Sequence, residues 1–433
     1  LPSSPCSLPD GSPLQSDHAL PSTFFSLFST KMNLLPDKKS CCGCGGCQQA
    51  CPRGCISMVP DSEGFPYPQI CQERCVGCGL CAAACPARQE RFTPLVFPGN
   101  RAAPVSYAAR INDKEVLRRS SSGGLFYLFA HKAVIKGWAV AGVRWGEDFA
   151  SVVYDIAETS LQLEQFMGSK YLQAENGGIY LRVGQLLKSG RKVLFFGTPC
   201  QIAGLHQFLK GNPPSLVSVE LICHGVPSPM LWGRYLQSVK KQLQISRFTA
   251  VAFRSKSPGW KKYNILFEGV EDPVNSTGEQ VTMMTPFSKD PYFKVFLRNL
   301  SLRPSCYQCK YKKQMSGADL TIGDFWRLVK YRRDLDDDQG FSCCCVNTEK
   351  GEEFLAWTRD AGEFHECKYS WILTGNPCME QSVKPNEGRD EFFKCLEKND
   401  DVQKTLEEFG RDDPKKSPLS RLCRRIVCIF RKH

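Results

Sequence analysis

Residues 41–52 read CCGCGGCQQACP, and residues 75–86 read CVGCGLCAAACP. Each run places four cysteines in the order C-x2-C-x2-C-x3-C-P: Cys41, Cys44, Cys47 and Cys51 in the first, Cys75, Cys78, Cys81 and Cys85 in the second. Three thiolates at this spacing wrap one face of a cubane. The small residues between them let the backbone come close and turn its amide hydrogens toward the sulfurs. In paired runs of this kind the fourth cysteine ligates the other cluster. Cys41, Cys44, Cys47 and Cys85 are therefore assigned to one 4Fe-4S cluster, and Cys75, Cys78, Cys81 and Cys51 to a second. Pro52 and Pro86 turn the chain away after each crossed ligand. Four thiolates also suit a structural zinc ion, but two complete runs in tandem select iron–sulfur. Cys42, Cys55 and Cys71 fall outside the pattern; Cys42 reads as a neighbour of a ligand rather than a substitute for one.

The rest of the composition agrees with a metal-binding use of cysteine. The chain has 433 residues and 24 cysteines. Disulfide scaffolds of that density are usually short, because small cores are what need staples. Clustered cysteines in a chain this long fit metal ligation in a reducing compartment, so a soluble, cytoplasmic protein is expected. No basic-then-apolar order of a signal peptide opens the chain, and no run of 18 apolar residues spans a membrane. The formal charge of +12 overstates the basic balance, since each 4Fe-4S core with four thiolates carries about −2. Between Arg411 and His433 stand eight Lys or Arg and two Asp. That local surplus reads as a solvated tail rather than a nucleic-acid surface, and no nucleic-acid partner is expected.

Outward from the two runs, residues 1–40 are rich in Ser and Pro and read as irregular. Residues 41–93 form the two-cluster ferredoxin-like domain. A bridge with Pro and Gly follows, and residues 105–350 form a larger domain. Within it Leu125 to Val134 and Tyr180 to Leu187 read as helices. Ala139 to Val143, Lys192 to Phe196 and Leu216 to Ile222 read as strands. Strands alternating with helices imply a layered α+β or α/β domain fused to the ferredoxin-like module. Residues 351–410 read as a helical extension with Phe392, Phe393 and Leu406 as docking points. Residues 411–433 read as a basic amphipathic tail. Its Leu422, Cys423, Ile426, Val427 and Phe430 fall along one helical face, which fits either docking on the protein or peripheral membrane contact.

A second cysteine set lies in the larger domain. Cys200 follows one strand in FFGTPCQIAG, and Cys223 follows the next in ELICHGVPS. Neighbouring parallel strands bring two such tips together at the carboxyl edge of a sheet, where ligands usually bind. SCYQCKYK adds Cys306 and Cys309. Four soft ligands with one meeting point suggest a third cluster, although buried free cysteines give the same pattern.

The segments RRSSSGGLF, FMGSKYLQ, FFGTPCQIAGL, LICHGVPS, SCYQCKYK, ADLTIGDFW and GFSCCCVNTEKG occur in an order that resembles the β subunit family of coenzyme F(420) hydrogenases and dehydrogenases, from about residue 41 to 350. The resemblance implies an iron–sulfur flavoprotein that passes electrons between clusters and FAD. It strengthens the case for a third 4Fe-4S cluster at Cys200, Cys223, Cys306 and Cys309, and makes the larger domain flavin-binding. A ferredoxin-like or other redox protein is the expected partner, together with a diffusible hydride carrier, deazaflavin or nicotinamide. A non-catalytic electron-transfer subunit of a larger complex is the alternative.

Residues suited to a flavin site agree with that implication. Ser120, Ser121, Ser122, Gly123 and Gly124 precede a helix and offer hydroxyls and amides to a diphosphate. Gly168, Ser169 and Lys170 form another such group, in which Lys170 is positioned to pair with phosphate or with the electron-rich edge of a reduced flavin. Gly197 and Thr198 make a strand-end turn that puts Cys200 beside the ring. Asp324 is a candidate for orienting a ligand or a lysine. His224, after Cys223, is a candidate proton donor, with a purely hydrogen-bonding role as the alternative. No serine elbow, P-loop or G-x-G-x-x-G fingerprint is present.

Overall fold

The computed structural model describes residues 35–88, 95–271 and 278–411. The cysteine-rich segment folds around a short antiparallel hairpin, β1 (Ile56–Pro60) and β2 (Pro66–Ile70). Each four-cysteine run makes a loop that enters a one-turn helix, Gly46–Gln49 or Leu80–Ala83. Both helices start from a left-handed residue, Gly45 at φ 72° and Gly79 at φ 73°. A side chain there would be strained, which is why glycine stands between the ligand positions.

The larger region is built on β3 (Val105–Ile111), β4 (Ala139–Trp145), β5 (Val152–Ala157), β6 (Val193–Gly197) and β7 (Leu216–Leu221). A separate antiparallel meander follows, formed by β8 (Ile245–Ser255), β9 (Asn264–Glu271) and β10 (Gln280–Pro286). The chain then returns to the large sheet with β11 (Leu320–Asp324), β12 (Ser342–Val346) and β13 (Gly362–Cys367). The eight strands order as β13-β3-β12-β11-β7-β6-β4-β5. The four in the middle, β11, β7, β6 and β4, run parallel, and the flanking pairs are antiparallel.

Strand alternation allots the core to two faces. Val140, Leu194, Val217 and Val219 face the helices Leu125–Ile135 and Glu349–Thr358. Ala139, Ala141, Val193, Phe195 and Leu216 face the helices Ile179–Lys188 and Pro199–Leu209. Covering both faces makes β6 apolar throughout, as a central parallel strand requires, and each of its large apolar side chains contributes about 1.5–3 kcal/mol on burial.

The apolar runs expected as strands and helices in residues 125–222 all occur, within one or two residues of their expected ends. Residues 351–410 are not uniformly helical. Gly362–Cys367 adds β13 to the sheet edge between two helices, hydrogen-bonding along β3. The helices Arg389–Lys398 and Val402–Phe409 then pack with the helix Pro229–Leu243 and the meander in one apolar cluster that includes Phe392, Phe393 and Leu406. The amphipathic pattern at 422–430 lies outside the described residues. Among the described residues no helix is long and apolar enough to cross a membrane.

The cysteine-rich region docks on the second sheet face. Gln49 Oε1 accepts from the backbone N–H of Tyr180 and of Leu181, at 2.9 and 3.1 Å. A side chain of one region thus caps a helix of the other, satisfying donors with no partner inside that helix. Gln207 donates to the Ala83 carbonyl at 2.7 Å, so the helix Pro199–Leu209 touches the second cysteine run as well.

Candidate functional site

Around the second cysteine run, one cavity is lined by Cys75, Cys78 and Cys81 together with Cys51 from the first run. Cys85 lies on the other side, where its charge and that of Cys41 both bear on Cys47. Burial first, then these neighbours, push the Cys47 thiol up to about 12. Cys51 goes the other way. Burial works against its ionisation, but the amides of Cys55, Arg53 and Gly54 outweigh it and lower the thiol. Amides aimed at a sulfur favour the thiolate, the form that binds iron. Cys55, beyond the four-residue pattern, has its Sγ 3.4 Å from that of Cys51.

Cys42 does more than sit beside a ligand position. Its thiol makes hydrogen-bonding contact with both Cys200 and Cys44. Contact with Cys200 favours the Cys42 thiolate; contact with Cys44 and burial outweigh it, so the thiol is held well above its ordinary range. Cys44 Sγ rests over Gly204, where a Cβ would come within 3.1 Å of it. Glycine in that helix is what permits the close approach.

Cys200 begins the helix Pro199–Leu209 just past β6, and Cys223 stands just past β7. Since β6 and β7 pair in parallel, the two come off adjacent carboxyl ends. Cys306 and Cys309 arrive on the turn Pro304–Gln308, and each feels the charge of Cys200. Burial drives Cys306 to about 12 and Cys223 far above the ordinary thiol range. The amide of Val226 donates to Cys306 Sγ at 3.4 Å, and the buried Lys312 ammonium donates to the Cys223 carbonyl at 2.8 Å. Half-buried soft donors with a cation and amides around them fit an anionic iron–sulfur core. Among the described residues no three His, Cys, Asp or Glu side chains converge closely enough for a single metal ion; a cubane spreads its ligand sulfurs over a larger span.

The serine loop reaches the same carboxyl edge, with much of its polarity already committed. Ser120 Oγ donates to the Val116 carbonyl at 2.7 Å, and Ser122 Oγ donates to that of Phe341 at 3.1 Å. Gly123 N donates to Ser342 Oγ at 2.9 Å, while Gly124, at φ 78°, opens the helix Leu125–Ile135. Ser121 Oγ accepts from Ser169 N at 2.8 Å, which joins the loop to Gly168-Ser169-Lys170. The Lys170 ammonium is enclosed by the carbonyls of Phe166, Met167 and Gly168, and burial lowers it to about 7. Lys256, from the end of the meander strand β8, donates to the carbonyls of Leu117, Ser122 and Gln339 and holds the serine loop from the other side.

Thr198 caps the helix that carries Cys200 and pairs through Oγ1 with Gln201 at 2.9 Å. Gly197 packs under Tyr154. Asp324, at the carboxyl end of β11, takes both nitrogens of Arg254 at 2.9 and 3.0 Å and the indole N–H of Trp260 at 3.0 Å. Arg254 lies over Tyr263, and Trp260 stacks on Trp326 at 4.9 Å. His224 Nε2 pairs with Asn299 Oδ1 at 2.7 Å against the ring of Phe296, and burial lowers its basicity. Asp319 stands at the opposite end of β11, buried against Ser218 and Thr348.

Residues 40–88 match the 4Fe-4S dicluster domain, and residues 190–370 match the C-terminal domain of the coenzyme F(420) hydrogenase/dehydrogenase beta subunit. Over those residues the chain is similar to a coenzyme F(420) hydrogenase/dehydrogenase beta subunit, with an N-terminal 4Fe-4S dicluster module. No curated protein matches it. Among solved structures, it matches a chain of the F(420)-reducing nickel–iron hydrogenase complex from Methanosarcina barkeri at 19% identity and a TM-score of 0.40, covering 71% of this chain and 92% of that one.

This beta-subunit-like protein is thus an iron–sulfur redox protein of oxidoreductase type carrying two 4Fe-4S clusters. Its sequence hides several residues that shape the site. Gln173 Nε2 donates to the Cys42 carbonyl at 3.4 Å, and Asn176 Nδ2 donates to that of Cys44 at 2.5 Å. The strip 168–176 therefore runs from the serine loop to the first cysteine run. Lys256, Gln173, Asn176 and Arg303 stand 130 or more residues from Ser122, Cys42, Cys44 and Cys41 respectively, and no local spacing announces such pairs.

Proposed function

We propose that this chain is an iron–sulfur flavoprotein oxidoreductase. It passes electrons between two ferredoxin-type clusters, a third 4Fe-4S cluster at Cys200, Cys223, Cys306 and Cys309, FAD, and a diffusible hydride carrier. The observation that carries this reading is the approach of Cys42 to Cys200, together with the seat of Cys44 on Gly204 in the helix that Cys200 begins; both bring the dicluster module against the carboxyl edge of the parallel sheet. FAD, when bound, interconverts the single electrons of clusters and the electron pair of a hydride.

The chain's own residues supply the surroundings. Cys41, Cys44, Cys47 and Cys85 would hold one cluster, and Cys75, Cys78, Cys81 and Cys51 the other. The Ser121–Ser169 hydrogen bond gathers two glycine-containing loops at one edge of the sheet. Gly168, at φ 81° with open space beside its Cα, leaves the backbone approachable. Lys256 puts a cation against the serine loop. The Arg254–Asp324 pair fixes the aromatic wall of Trp260, Trp326 and Tyr263.

A second reading, a cluster-only electron-transfer subunit, is favoured by one observation: Ser120, Ser122 and Lys170 spend their polar hydrogens on backbone carbonyls. Anaerobic titration with a low-potential donor separates the two. Flavin absorbance that bleaches after the cluster absorbance supports the first reading. Cluster bleaching with no flavin in the purified protein overturns it for the second. Steady-state assays with reduced deazaflavin, NADH and NADPH then identify the carrier.

A further inference from the structure

Arg303 is fully buried, and a guanidinium cannot shed its charge to escape burial. Its Nε donates to the Cys41 carbonyl at 2.8 Å, Nη1 to Gln173 at 3.0 Å and Nη2 to the Pro66 carbonyl at 3.0 Å. Nη2 also lies 3.7 Å from Cys41 Sγ. The plane sits over Tyr67 at 4.2 Å. The loop of the first cysteine run is shaped around it, since a Cβ on Gly43 would come within 2.7 Å of Nη1.

Every hydrogen bond it makes ends on a neutral oxygen or a cysteine sulfur. Among the described residues no carboxylate forms an ion pair with Arg303, and Asp61 and Glu63 of the adjacent hairpin turn are engaged by Lys38 and Arg389. A buried charge without a counter-charge is strongly unfavourable. Besides the Tyr67 hydroxyl, the groups that its field reaches are thiols: Cys41 by contact, Cys200 and Cys306 at longer range. They belong to the first cysteine run and to the third cysteine set.

We propose that Arg303 is the buried counter-cation of the Cys41-side cluster and holds its reduction potential above that of the Cys75-side cluster. Reduction adds an electron to a core whose ligand sulfur receives the guanidinium's hydrogen bond, so a fixed positive charge there stabilises the reduced form. The cavity of the Cys75-side cluster is lined by a water-exposed arginine, Arg53, in place of a buried one, and its Cys78 is exposed, so solvent screens the charge there. The pair is therefore asymmetric: the outer cluster exchanges electrons with a redox partner, and the inner one draws them toward the third cysteine set. The inference rests on the ligand assignment above, and its test separates the two.

The experiment is a redox titration followed by electron paramagnetic resonance on anaerobically purified full-length protein, with the two signals assigned by C47S and C81S. If each of these variants fails to remove a different signal, the ligand assignment falls and the inference with it. With the signals assigned, R303Q should disfavour reduction of the Cys41-side cluster by about tenfold, or about 59 mV for one electron, leaving the Cys75-side cluster unmoved. R303K keeps the charge but loses the fork, so it should shift the same signal in the same direction by less. If R303Q does not assemble its iron, R303K alone decides. An unmoved Cys41-side signal, or equal shifts in both, overturns the proposal.

Discussion

Cys51 and Cys85 distinguish an interlocked pair of clusters from two independent sites. Cys51 belongs by sequence to the first run but lines the cavity of Cys75, Cys78 and Cys81, while Cys85 lies with Cys41 and Cys47. C51S should therefore damage the signal that C81S removes, and C85S the signal that C47S removes. Paramagnetic resonance of the reduced variants checks this, and the opposite assignment would show ligation within each run. Asp324 makes a different kind of prediction. The Arg254 side chain is 2% exposed, and its carboxylate partner is Asp324. Removing that charge leaves a guanidinium buried and unpaired, a loss of about 3–5 kcal/mol for a broken buried pair. D324N should lower the midpoint of chemical denaturation accordingly, whether or not flavin is bound. A change below about 1 kcal/mol would mean that water or a neighbour reaches Arg254.

At the scale of elements, the serine loop depends on one glycine. A Cβ on Gly123 would meet the Ala109 carbonyl and lie 2.6 Å from Ser342 N, both backbone atoms of the sheet that cannot yield. G123A should push the loop off the ends of β3 and β12 at about 1–3 kcal/mol, and flavin retention should fall with it if that loop cradles the diphosphate. Denaturation and the flavin-to-iron ratio read the two effects separately. The elements best read from sequence were those whose burial is simplest. The VLFF of β6 is apolar because helices cover both faces, so its run is continuous. By contrast β13, GEFHEC, lies at the sheet edge with no residue fully buried, and its polarity reads as an extension of the neighbouring helices. The meander β8–β10 is harder to read for a related reason: the β8–β9 register is broken by bulges at Ile245/Arg247, Phe248/Ala250 and Ala252/Ser255, which interrupt the alternation that marks a strand. The cysteine spacings were legible because ligands of one cluster are close in sequence. The cations that serve them were not, because Arg303 is 262 residues from Cys41 and Lys312 is 89 from Cys223.

For the whole molecule, the question is how many iron atoms it holds and whether the two cysteine regions form one conducting path. A dicluster module alone accounts for about eight iron atoms per chain, and a third cubane raises this to about twelve. The half-buried Cys200, Cys223, Cys306 and Cys309 support the higher number, because desolvation holds each thiol above its ordinary range despite the charges of Arg303 and Lys312, and bound iron would stabilise the thiolates. C306S should therefore lower iron by about four atoms per chain while both dicluster signals persist. C42S tests the junction rather than the count. Cys42 touches Cys200 without belonging to either four-cysteine run, so its removal should leave iron content unchanged and slow electron passage from the dicluster module to the sheet edge. Stopped-flow reduction of the flavin by a low-potential donor, with cluster bleaching followed in parallel, measures that passage. Iron content falling in C42S would instead make Cys42 a ligand, displacing one of the four assigned to the third set. Unchanged iron with unchanged flavin reduction would place the electron route elsewhere, through the backbone that Arg303 and Gln173 tie to Cys41 and Cys42.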